Sequence, residues 1–121
     1  TVTVRALTVR QPFASGLMRQ IKRVENRTYR VQPGWIAIHA GAELHEDAAL
    51  VKSLCDAWQG IPPMEELPRK AVLGFARVDK VLEFPHDELS DDPQAVGPYC
   101  WVIGAVAPLA EPLLGVPGKQ G

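Results

Sequence analysis

Residues Val4–Tyr29, VRALTVRQPFASGLMRQIKRVENRTY, decide the fold, because strand, helix and strand periodicities follow one another there without a gap. Val4, Ala6, Leu7 and Val9 lie among Arg5, Thr8 and Arg10, an imperfect period-2 pattern rich in β-branched residues that predicts a half-buried strand over Val4–Val9. Gln11-Pro12 ends it, and proline suits the first turn of a helix. Phe13, Leu17, Met18 and Ile21 then recur at helical spacing, so a short amphipathic helix is expected from Pro12 to about Gln20. From Lys22 to Tyr29 the pattern alternates again. Val24, Asn26 and Thr28 fall on one side of an extended chain, and Arg23, Glu25, Arg27 and Tyr29 on the other.

Downstream, Pro33-Gly34 signals a turn, and Trp35–Ala40 (WIAIHA) has the length and apolarity of a buried strand that Gly41 should end. Leu50, Val51, Leu54 and Trp58 share one face of a second helix expected over His45–Trp58. Residues 59–69 hold three prolines and a glycine, so they read as an irregular connection. Ala71–Phe84 predicts a long strand with Gly74 as a bulge or bend, followed by an acidic loop from Pro85 to Pro98. Tyr99–Val102 supplies another strand, and Val106–Leu114, carrying Pro108 and Pro112, a broken edge strand. The sum is an α+β domain spanning residues 1–121: a small β-barrel or curled sheet of about five or six mostly antiparallel strands with two helices.

Composition fits one soluble module, with 121 residues of which 46% are hydrophobic and 22% charged. No apolar run approaches the roughly 20 residues of a membrane-spanning helix, and the N-terminus lacks the basic start and apolar block of a secretory signal, so the expected compartment is the cytoplasm. Cys55 and Cys100 are too few for a disulfide framework or a zinc site, and both are expected reduced and buried. The net charge of −1 conceals an asymmetry. Thr1–His39 carries seven Lys/Arg against Glu25 alone, a balance of +6, which leaves −7 for the remainder. Such a basic third either attracts a polyanion or pairs with acidic segments across the fold.

Arg10, Lys22, Glu25 and Arg27 are the chemically pointed group. On an extended strand Glu25 and Arg27 project to one face, and Lys22 joins them only if the helix-to-strand junction turns it there. Two guanidinium forks and an ammonium beside a carboxylate suit a nucleotide, since the cations hold phosphate and the carboxylate accepts from an exocyclic amine. The alternative is a structural ion cluster at the rim of the sheet. His39 closes an apolar strand as a core or rim residue, or as an acid or base in RNA cleavage. Trp35, Tyr99 and Trp101 are the aromatics available for stacking an unpaired base, with Tyr99 and Trp101 expected in the cleft, whereas Trp58 belongs to packing. His45 and His86 lack metal-ligand spacing, and neither a metal nor a cofactor is expected.

Taken in order, Leu7-Thr8-Val9-Arg10-Gln11-Pro12-Phe13-Ala14 and Ile21-Lys22-Arg23-Val24-Glu25-Asn26-Arg27 resemble the opening signature of the ASCH domain family. Ile36–Ala40, Val72–Ala76 and Gly97–Trp101 are similar to later segments of that family. The resemblance implies a PUA-like β-barrel with a cleft beside the first helix, and a role in binding single-stranded RNA, a nucleotide or a nucleoside. The contacts expected for that role are Arg10, Gln11, Lys22, Glu25, Arg27, His39, Tyr99 and Trp101. Family members that remove the acetyl group from N4-acetylcytidine are similar at Lys22 and Arg27 but carry threonine where this chain has Glu25. A hydrolase acting on RNA or on such a nucleoside through Lys22 and Glu25, with a Glu-activated water, is therefore the second expectation. A protein partner on the basic face is the third.

Overall fold

In a computed structural model, which describes residues 5–44 and 66–115 together with 49, 53, 56–58, 61 and 62, the opening alternation becomes strand β1 (Ala6–Gln11). Its core face is Leu7, Val9 and Gln11, while Thr8 and Arg10 point the other way. Helix α1 (Phe13–Met18) follows at once. Six residues are too few for a helix to persist on propensity. Packing holds α1 instead, since Ala14 through Met18 are all buried. No side chain caps it from Pro12, but Gln11 takes over that work: its Oε1 accepts from Ser15 N at 3.0 Å, satisfying a first-turn donor. Strand β2 (Val24–Arg27) is shorter than the Lys22–Tyr29 alternation suggested.

Strand β3 (Gly34–Leu44) runs through Gly41 instead of ending there, because its β1 partner continues to Gln11 and keeps the ladder paired as far as Leu44. Strand β4 (Ala71–Glu83) contains the expected irregularity at Gly74. Buried positions are odd-numbered before it (Ala71, Leu73) and even-numbered after it (Ala76, Val78). The bulge thus turns both halves of the strand to the same core, which an unbroken alternation could not do. Gly74 has φ +156, and a Cβ there would stand 2.6 Å from Ala107 O. The acidic loop is pinned by a 3-10 turn at Asp87–Leu89.

The two strands expected at Tyr99–Val102 and Val106–Leu114 are one strand, β5 (Tyr99–Leu114). Its first residues pair with β4 and with β2, whereas beyond Val102 only β4 pairs with it. Pro108 and Pro112 therefore lie where β5 is an edge, the part of a sheet that tolerates a residue without an N–H. The sheet order is β1-β3-β4-β5-β2, with β1 parallel to β3 and the other neighbours antiparallel. The fold is α+β: a five-stranded mixed sheet with α1 packed on it, and no pairing between β1 and β2 closes the sheet among the described residues. Residues Leu50, Val51 and Leu54 of the expected second helix lie outside the described residues, as does Cys55.

The main core joins Leu7 and Val9 of β1, Leu17 and Met18 of α1, Ile36 and Ile38 of β3, Leu73 and Val78 of β4, and Trp101 and Ile103 of β5. A smaller cluster of Val24, Leu89, Ala95 and Cys100 seats the acidic loop against β2. No described helix is long and apolar enough to cross a membrane.

Candidate functional site

β1 and β2 are the two outermost strands of the sheet, yet they flank the same cleft, so the sheet curls until its edges face each other. Arg27 spans the gap: its guanidinium donates to Thr8 O on β1 at 3.0 Å while its own strand is β2. The cleft has a cavity volume of about 520 Å³ and is open to solvent. Thr8, Val9 and Arg10 line it from β1, and Asn26, Thr28 and Tyr29 from β2 and its continuation. Phe13 of α1 and Val96 of the acidic loop also line it, and the buried Lys22 and Glu25, with Arg27, make its floor.

The floor is assembled by the junction between α1 and β2. Gln20 takes φ +59, and Ile21 N and Lys22 N both donate to Gly16 O at 3.0 Å, a tight reversal. That reversal swings Lys22 onto the face of Glu25 three residues later. Lys22 Nζ stands 3.4 Å from Glu25 Oε1 and donates to Val24 O, and it lies 5.7 Å from the centroid of Phe13. Arg27 grips the other oxygen, with Nε and a terminal nitrogen 2.9 and 2.6 Å from Glu25 Oε2. Lys22 and Glu25 are each only 5% exposed. Two cations thus share one carboxylate in a nearly dry setting, with a surplus positive charge facing the cleft. Arg10 adds a cation at the rim, 3.8 Å from the well-exposed Glu43.

The remaining expected contacts lie elsewhere. Gln11 is fully buried and committed to structure: its Nε2 donates to Ser15 Oγ and to Pro68 O, both at 2.9 Å. Trp101, expected beside the ligand, is a core residue, 2% exposed, with its indole N–H donating to Tyr29 O at 3.0 Å. Trp101 is paired with Glu25, so both side chains project to the same inner face of the sheet, where Trp101 belongs to the main core and Glu25 lines the cleft. Tyr99 is half-buried with Arg30 over its ring at 4.8 Å, outside the cleft. His39 is buried on β3, its Nδ1 3.3 Å from Thr8 Oγ1, and does not line the cleft.

The aromatic that does reach the cleft from β2's side is Tyr29, 39% exposed and edge-on to Trp101 at 5.4 Å. Its parity with Glu25 and Arg27 was visible in the alternation. Phe13, Asn26 and Val96 have no such signal, since the first opens a helix and the last arrives from a loop seventy residues beyond Asn26. The basic third divides between the two uses foreseen for it. Arg10, Lys22 and Arg27 gather at the cleft, while Arg30 pairs with Glu83 of the acidic remainder at 3.0 Å. Among the described residues no three His, Cys, Asp or Glu side chains come together to hold a metal.

Compared with known protein families and with curated proteins, the sequence matches none.

Proposed function

We propose that this chain is an RNA- or nucleotide-binding domain of the ASCH type, a PUA-like barrel whose slit between β1 and β2 is the binding cleft. The observation that carries the reading is the buried Lys22–Glu25–Arg27 cluster on the cleft floor. A buried ion cluster is a poor stabiliser, because desolvation offsets most of the attraction between its members. As a ligand floor it makes sense: the cations are held in place before a phosphate or a base edge arrives, and little entropy is lost on binding. Arg10 at the rim meets phosphate, Glu25 accepts from a base amine through its remaining lone pairs, and Tyr29 and Phe13 offer ring faces. A cavity of about 520 Å³ lies within the range of sites that bury a small organic ligand. Arg27's grip on Thr8 O supports the barrel reading, since it ties the two free edges where a closing ladder would run.

A hydrolase reading has one observation of its own, the Lys22 amine 3.4 Å from the Glu25 carboxylate inside a ligand-sized cleft. Against it, both Glu25 oxygens are already held by cations, an arrangement better suited to accepting hydrogen bonds than to taking a proton from water. The experiment is to incubate the protein with short single-stranded RNA and with N4-acetylcytidine, and to follow binding, cleavage and deacetylation for wild type, Lys22→Ala and Glu25→Ala. Binding weakened by Lys22→Ala with no turnover is expected. Turnover lost in both variants establishes the hydrolase, and no interaction with either ligand sinks the reading.

A further inference from the structure

The loop residue Val96 is an exposed apolar side chain placed with unusual care. It is 64% exposed, it lines the cleft, and both its chain neighbours are fixed. Ala95 is buried in the small core with Val24, Leu89 and Cys100. Gly97 takes φ +75, and a Cβ there would stand 2.5 Å from Phe84 Cβ, so the backbone at this point has a conformation and a neighbour that suit glycine.

The fixing is done from β2 by one side chain. Asn26 Nδ2 donates to Gln94 O at 2.8 Å, and its Oδ1 accepts from Val96 N and from Gly97 N, both at 2.9 Å, with Cys100 Sγ at 3.4 Å. Both ends of the amide are used. An aspartate would keep the three accepted bonds and lose the donated one, and an alanine would lose all of them. The cluster also sits beside Glu25 and Arg27 on the same four-residue strand, so the strand that carries the floor also sets the wall.

We infer that Val96 is a specificity-determining contact for the planar base of the ligand, and that Asn26 is the positioning residue that holds it there. The inference rests on the nucleotide-binding reading above and adds to it the group that reads the base face. A polar floor of Lys22, Glu25 and Arg27 meets a base edge or phosphate, and an apolar wall at Val96 excludes water from the flat face of the ring. Sugar and phosphate gain nothing from such a wall.

The test compares a mononucleotide with ribose 5-phosphate, which has the sugar and phosphate but no base, by calorimetric titration of wild type, Val96→Ser and Asn26→Ala. Expected is at least fivefold weaker mononucleotide binding for Val96→Ser and Asn26→Ala, with ribose 5-phosphate affinity within twofold of wild type in both. Equal weakening of both ligands overturns the inference in favour of general damage to the cleft, and circular dichroism melting of each variant shows whether folding is the cause. Unchanged mononucleotide binding in Val96→Ser overturns it while leaving the cleft reading intact. Failure of wild type to bind either ligand, or short RNA, removes the cleft reading itself.

Discussion

Replacing Glu25 by glutamine keeps the shape of the cleft floor and removes the one negative charge in it. Lys22 and Arg27, 5% and 19% exposed, then lose the carboxylate charge they share. Removing one partner of a buried ion pair costs about 3–5 kcal/mol. The lower end applies here, because Lys22 keeps Val24 O, and Arg27 keeps Thr8 O and some contact with water. About 3 kcal/mol on a domain of this size lowers Tm by roughly 12 °C. Lys22→Met in the Glu25→Gln background should restore at least about 1 kcal/mol, since the uncompensated buried ammonium is then gone; contacting groups couple by this order. Thermal and denaturant unfolding of the two single variants and the double variant measure the cycle. A Glu25→Gln protein melting within about 3 °C of wild type, or a double variant no more stable than Glu25→Gln, refutes the reasoning that these three side chains form one buried electrostatic unit.

Other consequences follow from the packing and the surface. Gly74→Ala should destabilise by more than about 2 kcal/mol in urea unfolding, because the residue's φ is +156 and the added Cβ meets Ala107 O at 2.6 Å, a backbone atom that does not yield easily. Trp101→Ala should cost about 3–5 kcal/mol, as expected for a large side chain lost from the core, and Trp101→Phe should still lose the indole bond to Tyr29 O and shift the tyrosine wall of the cleft. Glu88 is held below the usual carboxylate range, first by its hydrogen bond from Lys80 and then by that lysine's charge. Its folded-state pKa being depressed, its contribution to stability is present at neutral pH and is lost as pH falls through the folded value. In an NMR titration the Glu88 carboxyl should move up toward the ordinary range in Lys80→Ala.

Much of this architecture is legible in the residue pattern, and the misses have physical causes. The strand–helix–strand opening survives because each element has its own period and because Gln11-Pro12 marks the boundary. Gly74 announced the bulge, since a glycine amid β-branched residues has few other uses. Local signals misjudged Gly41 and the prolines of β5. Strand ends there depend on how far a partner extends, which is a property of the whole sheet. At the site, spacing put Glu25 and Arg27 on one face, and Lys22 joins them because the junction after α1 reverses tightly, a turn that period-2 alternation does not specify. Tyr99 and Trp101 misled because parity tells which residues share a face, not which face is core; on β5 opposite β2, the shared face is inward for Trp101. Asn26 and Val96 could not be paired from sequence, as their contact depends on where the acidic loop returns.

The claim on which the rest depends is that the cleft floor holds a phosphate-bearing ligand. Titration of a short single-stranded RNA into wild type and Lys22→Met, each at several salt concentrations, tests it most directly. The account predicts binding that weakens with salt, with a slope in log K of about −0.7 for each phosphate contact, and a smaller slope and lower affinity in Lys22→Met. A wild-type affinity independent of salt, or a Lys22→Met protein that folds normally and binds RNA with the same affinity and slope, contradicts it.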